Sequence, residues 1–276
     1  MKAARERKVP GWLGTTLLLG AFGALVWLEN RRPLRRAVES KLRRNARNLA
    51  VATLGAVSLQ LAEQPVVRPL TRLVESRRLG LLKRAALPAW LEVPLAIALL
   101  DYTLYLWHVL THRVPLLWRF HQAHHADRDM DASTALRFHF GELLISVPWR
   151  AAQILTIGVC PLALSLWQTA LLLEIMFHHS NVELPPEIEA RLANLIVTPR
   201  LHGIHHSIVE EEVNSNWSSG LTIWDRLHRT LRVDVPQNAI TIGVPAFLDP
   251  AEVKLGEVLE MPFVEQRDPG FLPPRH

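Results

Sequence analysis

Eight histidines of this 276-residue chain fall in three tight groups. The first is His108 and His112, spaced His-x-x-x-His. The second is His121, His124 and His125, and the third is His202, His205 and His206, both spaced His-x-x-His-His. Residues three and four apart share one side of a helix. Each group therefore aims two or three imidazoles at one point. Neutral imidazole is the commonest metal-donor side chain. Eight of them exceed one tetrahedral ion, which takes four ligands. The expectation is two metal ions held almost wholly by histidine.

Further candidates flank the groups. His139 stands in Leu136-Arg137-Phe138-His139-Phe140-Gly141-Glu142, and His178 and His179 precede Ser180-Asn181. His139 and His179 are candidate ligands, whereas His178 reads as a neighbouring pocket residue, and His228 and His276 as bystanders. Asn181, Asn214, Asn216 and Asp225 are candidates to fix imidazole tautomers from outside the ligand set. Trp107, Trp118, Trp149 and Trp167 read as membrane-interface anchors. Glu174 reads equally as a proton relay or as a helix-end carboxylate.

The elements that must position these groups are apolar runs. Gly11 to Leu28 approaches the ~20 residues of a membrane span. Leu49 to Ala62 is shorter, and Leu95 to Leu110 carries Asp101 and His108. Leu143 to Phe177, interrupted by Arg150 and Pro161, reads as two helices in a hairpin. The hairpin lies between the second and third histidine groups. Going across and coming back keeps all three on one membrane side, where a single span would separate them.

Basic residues flank every early apolar segment, so charge patterning alone does not choose the orientation; the cytoplasm is favoured because a redox metal site needs reducing equivalents. Arg31, Arg32, Arg35, Arg36, Lys41, Arg43, Arg44 and Arg47 follow the first run. They read as juxtamembrane cations that mark the cytoplasmic side and attract anionic lipid. The net charge of +5 comes without a nucleic-acid motif, which argues against that partner. Lys2, Arg5, Arg7 and Lys8 before the run resemble a secretory signal, but Glu29-Asn30-Arg31-Arg32 replaces the small-x-small cleavage site, so a retained anchor is expected. The single cysteine, Cys160, excludes an internal disulfide and a Cys-x-x-Cys metal site. The organisation expected is an N-terminal anchor and interfacial segment (1–94), a catalytic domain (95–234) and a polar C-terminal tail (235–276).

From Asp101 to Arg232 the chain resembles the fatty acid hydroxylase and sterol desaturase superfamily. The resemblance rests on Asp101, Tyr105 and His108; on Leu117-Trp118-x-x-His121-x-x-His124-His125; on Thr198-Pro199-x-x-His202-x-x-His205-His206; and on Trp224-Asp225-Arg226. Phe140 stands where bacterial members usually have proline, Ser218 where glycine is usual, and His228-Arg229 where Phe-Gly is usual. The resemblance implies an all-α, multi-span membrane bundle with a cytoplasmic histidine-rich helical cap, in the bacterial inner membrane. It implies two iron ions, replaceable by zinc in recombinant material. The implied ligands are His108, His112, His121, His124, His125, His139, His179, His202, His205 and His206. The implied reaction is dioxygen-dependent hydroxylation or desaturation of a lipid C–H bond. No haem or flavin segment is visible, so electrons come from a separate donor protein. Two rival readings keep the same fold: a zinc-dependent membrane hydrolase, against which no His-Glu-x-x-His stands in the chain, and a metal-binding protein without activity.

Overall fold

The computed structural model describes residues 11–274. The early cations Lys2, Arg5, Arg7 and Lys8, and His276, lie outside them. Among the described residues the elements are helical, with only isolated β-bridges. In chain order they are α1 (Gly11–Arg31), α2 (Lys41–Ser58), α3 (Gln64–Arg77), α4 (Leu81–Arg84), α5 (Ala89–Arg113), α6 (Pro115–His125), α7 (Phe140–Gln153), α8 (Pro161–His179), α9 (Pro186–Leu192), α10 (Pro199–His205), α11 (Glu210–Val213), α12 (Ile223–His228) and α13 (Leu255–Glu260).

This is an all-α membrane bundle. Among the described residues two helices are long and apolar enough to cross a bilayer by length and composition, Trp12–Arg31 and Ala89–Arg113. The hairpin expected from Leu143 to Phe177 is α7 and α8, joined through a π-helical turn, Ile154–Gly158. Proline is favoured in the first turn of a helix because it lacks a donor that would be unpaired there anyway, and Pro161 starts α8 in that way. Helices in lipid associate by close packing, with small residues where backbones meet. Gly80 and Gly158 do this: both have positive φ, 89° and 87°, a Cβ on Gly80 would strike the Gly158 backbone, and one on Gly158 would strike Leu79 O. Around them Val67, Val74, Leu100, Ile154, Val159 and Ala163 form a closed apolar layer.

The short apolar run Leu49 to Ala62 lies within α2 and a second π turn, Leu59–Glu63, through which α2 continues into α3. The arginine-rich stretch is more than a lipid contact. Arg43 is exposed, but Arg44 is buried and binds Asp127 at 2.8 Å, Thr134 at 3.1 Å and Asp131. Arg47 reaches Asp127 from the same side, at 3.3 Å, and Asn48 donates to it at 2.8 Å. Burial would push the Asp127 carboxyl up, but Arg44, Arg137 and Arg47 hold it at about 2. Helix α2 is thereby clamped to the segment that follows the second histidine group.

Candidate metal centre

Each histidine-bearing element starts where its sequence says it should. Pro115 and Pro199 open α6 and α10, and the Thr198 hydroxyl caps α10 by accepting from Leu201 N–H at 3.4 Å. Helix α5 ends at Arg113, and α6 turns straight back beneath it. Helix α8 delivers His179 in its last turn. Gly203 lies inside the third histidine group, and a Cβ there would overlap the Arg35 guanidinium. Arg35 uses the space to donate to Pro199 O and Gln237 Oε1, both at 2.6 Å, which pins α10 from behind.

These helices gather nine imidazoles into two groups. His108, His112, His121, His125 and His205 form one; His124, His179, His202 and His206 form the other. Within each group the ligand atoms lie within 4.8 Å of one another. The groups share a wall, where the rings of His125 and His206 stack at 4.2 Å.

The three sequence groups are therefore not the spatial ones. His121 and His125 go to one set and His124 to the other; His202 and His206 go to one and His205 to the other. Helix geometry explains the split. At 3.6 residues per turn, positions i and i+4 diverge by only about 40°, whereas i+3 and i+4 diverge by about 100°. Each His-x-x-His-His run thus feeds both sets.

The proton positions leave the ring nitrogens free to bind. Nδ1–H of His108 donates to Trp217 O at 2.7 Å, and that of His179 to Ile175 O at 2.7 Å. His205 Nδ1–H donates to Ser215 O at 2.8 Å, and His121 Nδ1–H to Glu142 Oε1 at 2.9 Å. Each bond fixes the tautomer with Nε2 bare, the arrangement that orients metal-bound imidazole elsewhere. Nε2 of His112, His121, His125 and His205 is buried without a partner. In the other set the Nε2 atoms crowd together, with His179 3.0 Å from both His124 and His202, and His202 3.1 Å from His206. Burial, and then neighbouring histidines, lower His124, His125, His202 and His206 well below the ordinary imidazole range. Neutral imidazole is the form that binds metal. An all-imidazole, uncharged donor set fits iron or zinc and is foreign to calcium or magnesium, which take oxygen ligands.

His139 joins neither set. Its Nδ1 accepts from Gly141 N–H at 3.0 Å as the N-cap of α7, and Nε2–H donates to Leu259 O at 3.1 Å. Both nitrogens are spent on holding α7 and α13. His178 also lies outside the sets, its ring 4.1 Å from His202, and His228 pairs with the Tyr102 hydroxyl at 3.2 Å.

The tautomer-fixing residues differ from those anticipated. Asn181 holds the backbone of Arg35, and Asn216 bridges Leu201 O and Arg232; neither touches an imidazole. Asp225 acts one residue removed, accepting from Trp217 N–H at 2.8 Å and Ser218 N–H at 3.0 Å, so that Trp217 O meets His108. Glu142, outside the anticipated set, does hold an imidazole, and its signal in the sequence is a carboxylate in the first turn of a helix that opens beside the second histidine group.

Both sets open on one cavity of about 490 Å³. Leu104, Leu143, Leu171, Leu172 and Ile175 line its middle, and His108, His121, His124, His179 and His202 its metal end. Trp107, Trp149 and Trp167, expected as interface anchors, also line it. Trp118 packs on His112 at 4.9 Å.

The sequence profile of the fatty acid hydroxylase family matches residues 93–230, half of the chain and all nine clustered histidines. The chain belongs to the fatty acid hydroxylase family. Among curated relatives, the ornithine lipid hydroxylase OlsE of Rhizobium tropici is 32% identical over 158 residues, covering 57% of this chain and 46% of that protein. The alkylglycerol monooxygenase of Homo sapiens is 29% identical over 136 residues, 49% of this chain and 29% of its own length. The cholesterol 25-hydroxylase of Rattus norvegicus is 26% identical over 163 residues, 58% and 53% respectively. The aligned part thus spans about half of these relatives or less. No solved structure matches the chain.

Proposed function

We propose that this protein is a membrane-bound oxygenase that hydroxylates or desaturates an unactivated C–H bond of a lipid. Two iron ions would be held, one by His108, His112, His121, His125 and His205 and one by His124, His179, His202 and His206. The observation that carries the reading is the adjacency of two buried, all-imidazole sets at the end of one apolar cavity. Iron in such sites supplies dioxygen-dependent oxidation of carbon that no side chain can attack. The names of the relatives, each a lipid hydroxylase or monooxygenase, point the same way.

The chain's own residues do the rest. The four Nδ1–H bonds hold the imidazoles in register. The leucines of α5, α7 and α8 receive the hydrocarbon and exclude water. The reducing equivalents would come from a separate donor protein on the cytoplasmic side of a bacterial inner membrane, the side that the metal centre would face.

The test is elemental analysis followed by turnover. Protein from iron-supplemented cells should hold two metal ions per chain and consume dioxygen in step with lipid oxidation when given a reductant. Lipid turnover that proceeds without dioxygen would replace the oxygenase with a zinc hydrolase. One ion per chain at saturation would remove the two-site centre.

A further inference from the structure

The end of the cavity remote from the histidines is polar, though it lies inside the bundle. Arg150 and Trp149 reach it from α7, Trp167 and Gln168 from α8, and Glu63 from the π turn after α2. Arg150 lies two helical turns beyond Glu142, about 12 Å along α7. Gln168 lies about 16 Å before His179 along α8. Charged groups at such depth are costly, and they mark ligand sites or relays when they face a cavity.

The hydrogen-bond pattern there is one-sided. Arg150 spends Nη1 on Gln153 at 2.6 Å and stacks its guanidinium 4.5 Å from the Trp167 ring. Its Nε, Trp149 Nε1 and Trp167 Nε1 are all buried donors without acceptors. Three orphan donors in the lining of one cavity ask for a group with several acceptor oxygens. Glu63, in the same lining, is 5% exposed and accepts from Gln168 Nε2 at 3.2 Å. Among the described residues no ion pair joins Glu63 to Arg150. The two charges balance without touching. An anion alone would leave this low-dielectric end with an uncompensated negative charge; a group carrying both signs would not.

We propose that this end is a headgroup site for a zwitterionic lipid. Arg150, Trp149 and Trp167 take the acidic oxygens, and Glu63 takes the ammonium. The hydrocarbon then runs along the leucines towards the histidines, so the carbon attacked lies on the chain, remote from the head. The proposal rests on the reading of this cavity as the substrate cavity. It names the substrate class, a lipid whose polar end joins an amine to a carboxylate or a phosphate.

The test is isothermal titration of the full-length protein in dodecyl maltoside with five probes of equal chain length. They are 2-aminohexadecanoic acid, hexadecylphosphoethanolamine, palmitic acid, hexadecylamine and hexadecanol. Both zwitterions should bind at least about tenfold tighter than hexadecanol, ~1.4 kcal/mol. The tighter of the two tells carboxylate from phosphate. R150Q should erase the advantage of the acid-bearing probes, and E63Q that of the amine-bearing ones, with hexadecanol unchanged in both. R150K, which keeps the charge, should retain part of the preference. Metal content of each variant reports its folding, and E63Q carries the test by itself if R150Q does not fold. Equal binding of all five probes, no binding of any, or an equal loss for hexadecanol and the zwitterions would overturn the proposal. Binding is read without dioxygen or reductant. A protein that binds zwitterions yet oxidises nothing would reject the oxygenase and leave the headgroup site standing.

Discussion

His121 donates its Nδ1–H to Glu142 Oε1 at 2.9 Å, joining α6 to the first turn of α7 through a buried contact. The bond leaves His121 Nε2 bare for the five-histidine set. Carboxylates in this position raise imidazole basicity, and their loss typically costs about 10- to 100-fold in metal affinity or activity. Glu142→Ala should therefore shed the ion of that set under a chelator while the four-histidine set keeps its own. Metal content after graded dialysis checks this. Equal loss from both sets would show Glu142 to be a general fold determinant.

His139 and His206 should separate cleanly. His139→Ala removes a helix cap, worth about 1 kcal/mol, and should lower the unfolding midpoint while leaving metal content intact. His206→Ala should lose the ion of the four-histidine set and abolish turnover while the protein still inserts. A metal loss in His139→Ala equal to that in His206→Ala would return His139 to the ligands.

Arg44 and Arg43 are sequence neighbours with opposite expectations. Removing one partner of a buried ion pair typically costs about 3–5 kcal/mol because the other charge is left stranded. Arg44→Ala strands Asp131 and leaves Asp127 to Arg47, so it should unfold far earlier in a thermal scan. Exposed Arg43→Ala should sit near wild type. Similar small losses for both, sensitive to anionic lipid, would restore the purely juxtamembrane reading.

Gly203 and Arg35 form a coupled pair. A methyl group at 203 has no room while the guanidinium lies against it. Gly203→Ala should displace Arg35 from Pro199 O and Gln237, costing about 1–3 kcal/mol as overpacking does. The double variant with Arg35→Ala should cost less than the sum of the single changes. Strict additivity, measured by unfolding midpoints, would mean that the two residues do not meet.

Much of the centre was legible without coordinates. The identities and spacing of His108, His112, His121, His124, His125, His202, His205 and His206 carry donor chemistry, and 3.6 residues per turn makes each run a cluster. The length of the apolar run and the break at Pro161 likewise announce the hairpin of α7 and α8. These are local properties, decided by residues within a few positions of each other. What they leave open is partnership. Nothing in His-x-x-His-His says which imidazole joins which set, because that depends on how α5, α6, α8 and α10 cross. Arg44 and Arg43 look alike in a basic stretch, and only the docking of α2 buries one and exposes the other. His139 has the residue type of a ligand, yet contact with Gly141 and Leu259 spends both its nitrogens. Arg150 reads as an interruption of an apolar run until Trp149, Trp167 and Glu63 close around the same cavity. Long-range packing decides each of these, since a side chain's chemistry depends on what faces it as much as on what it is.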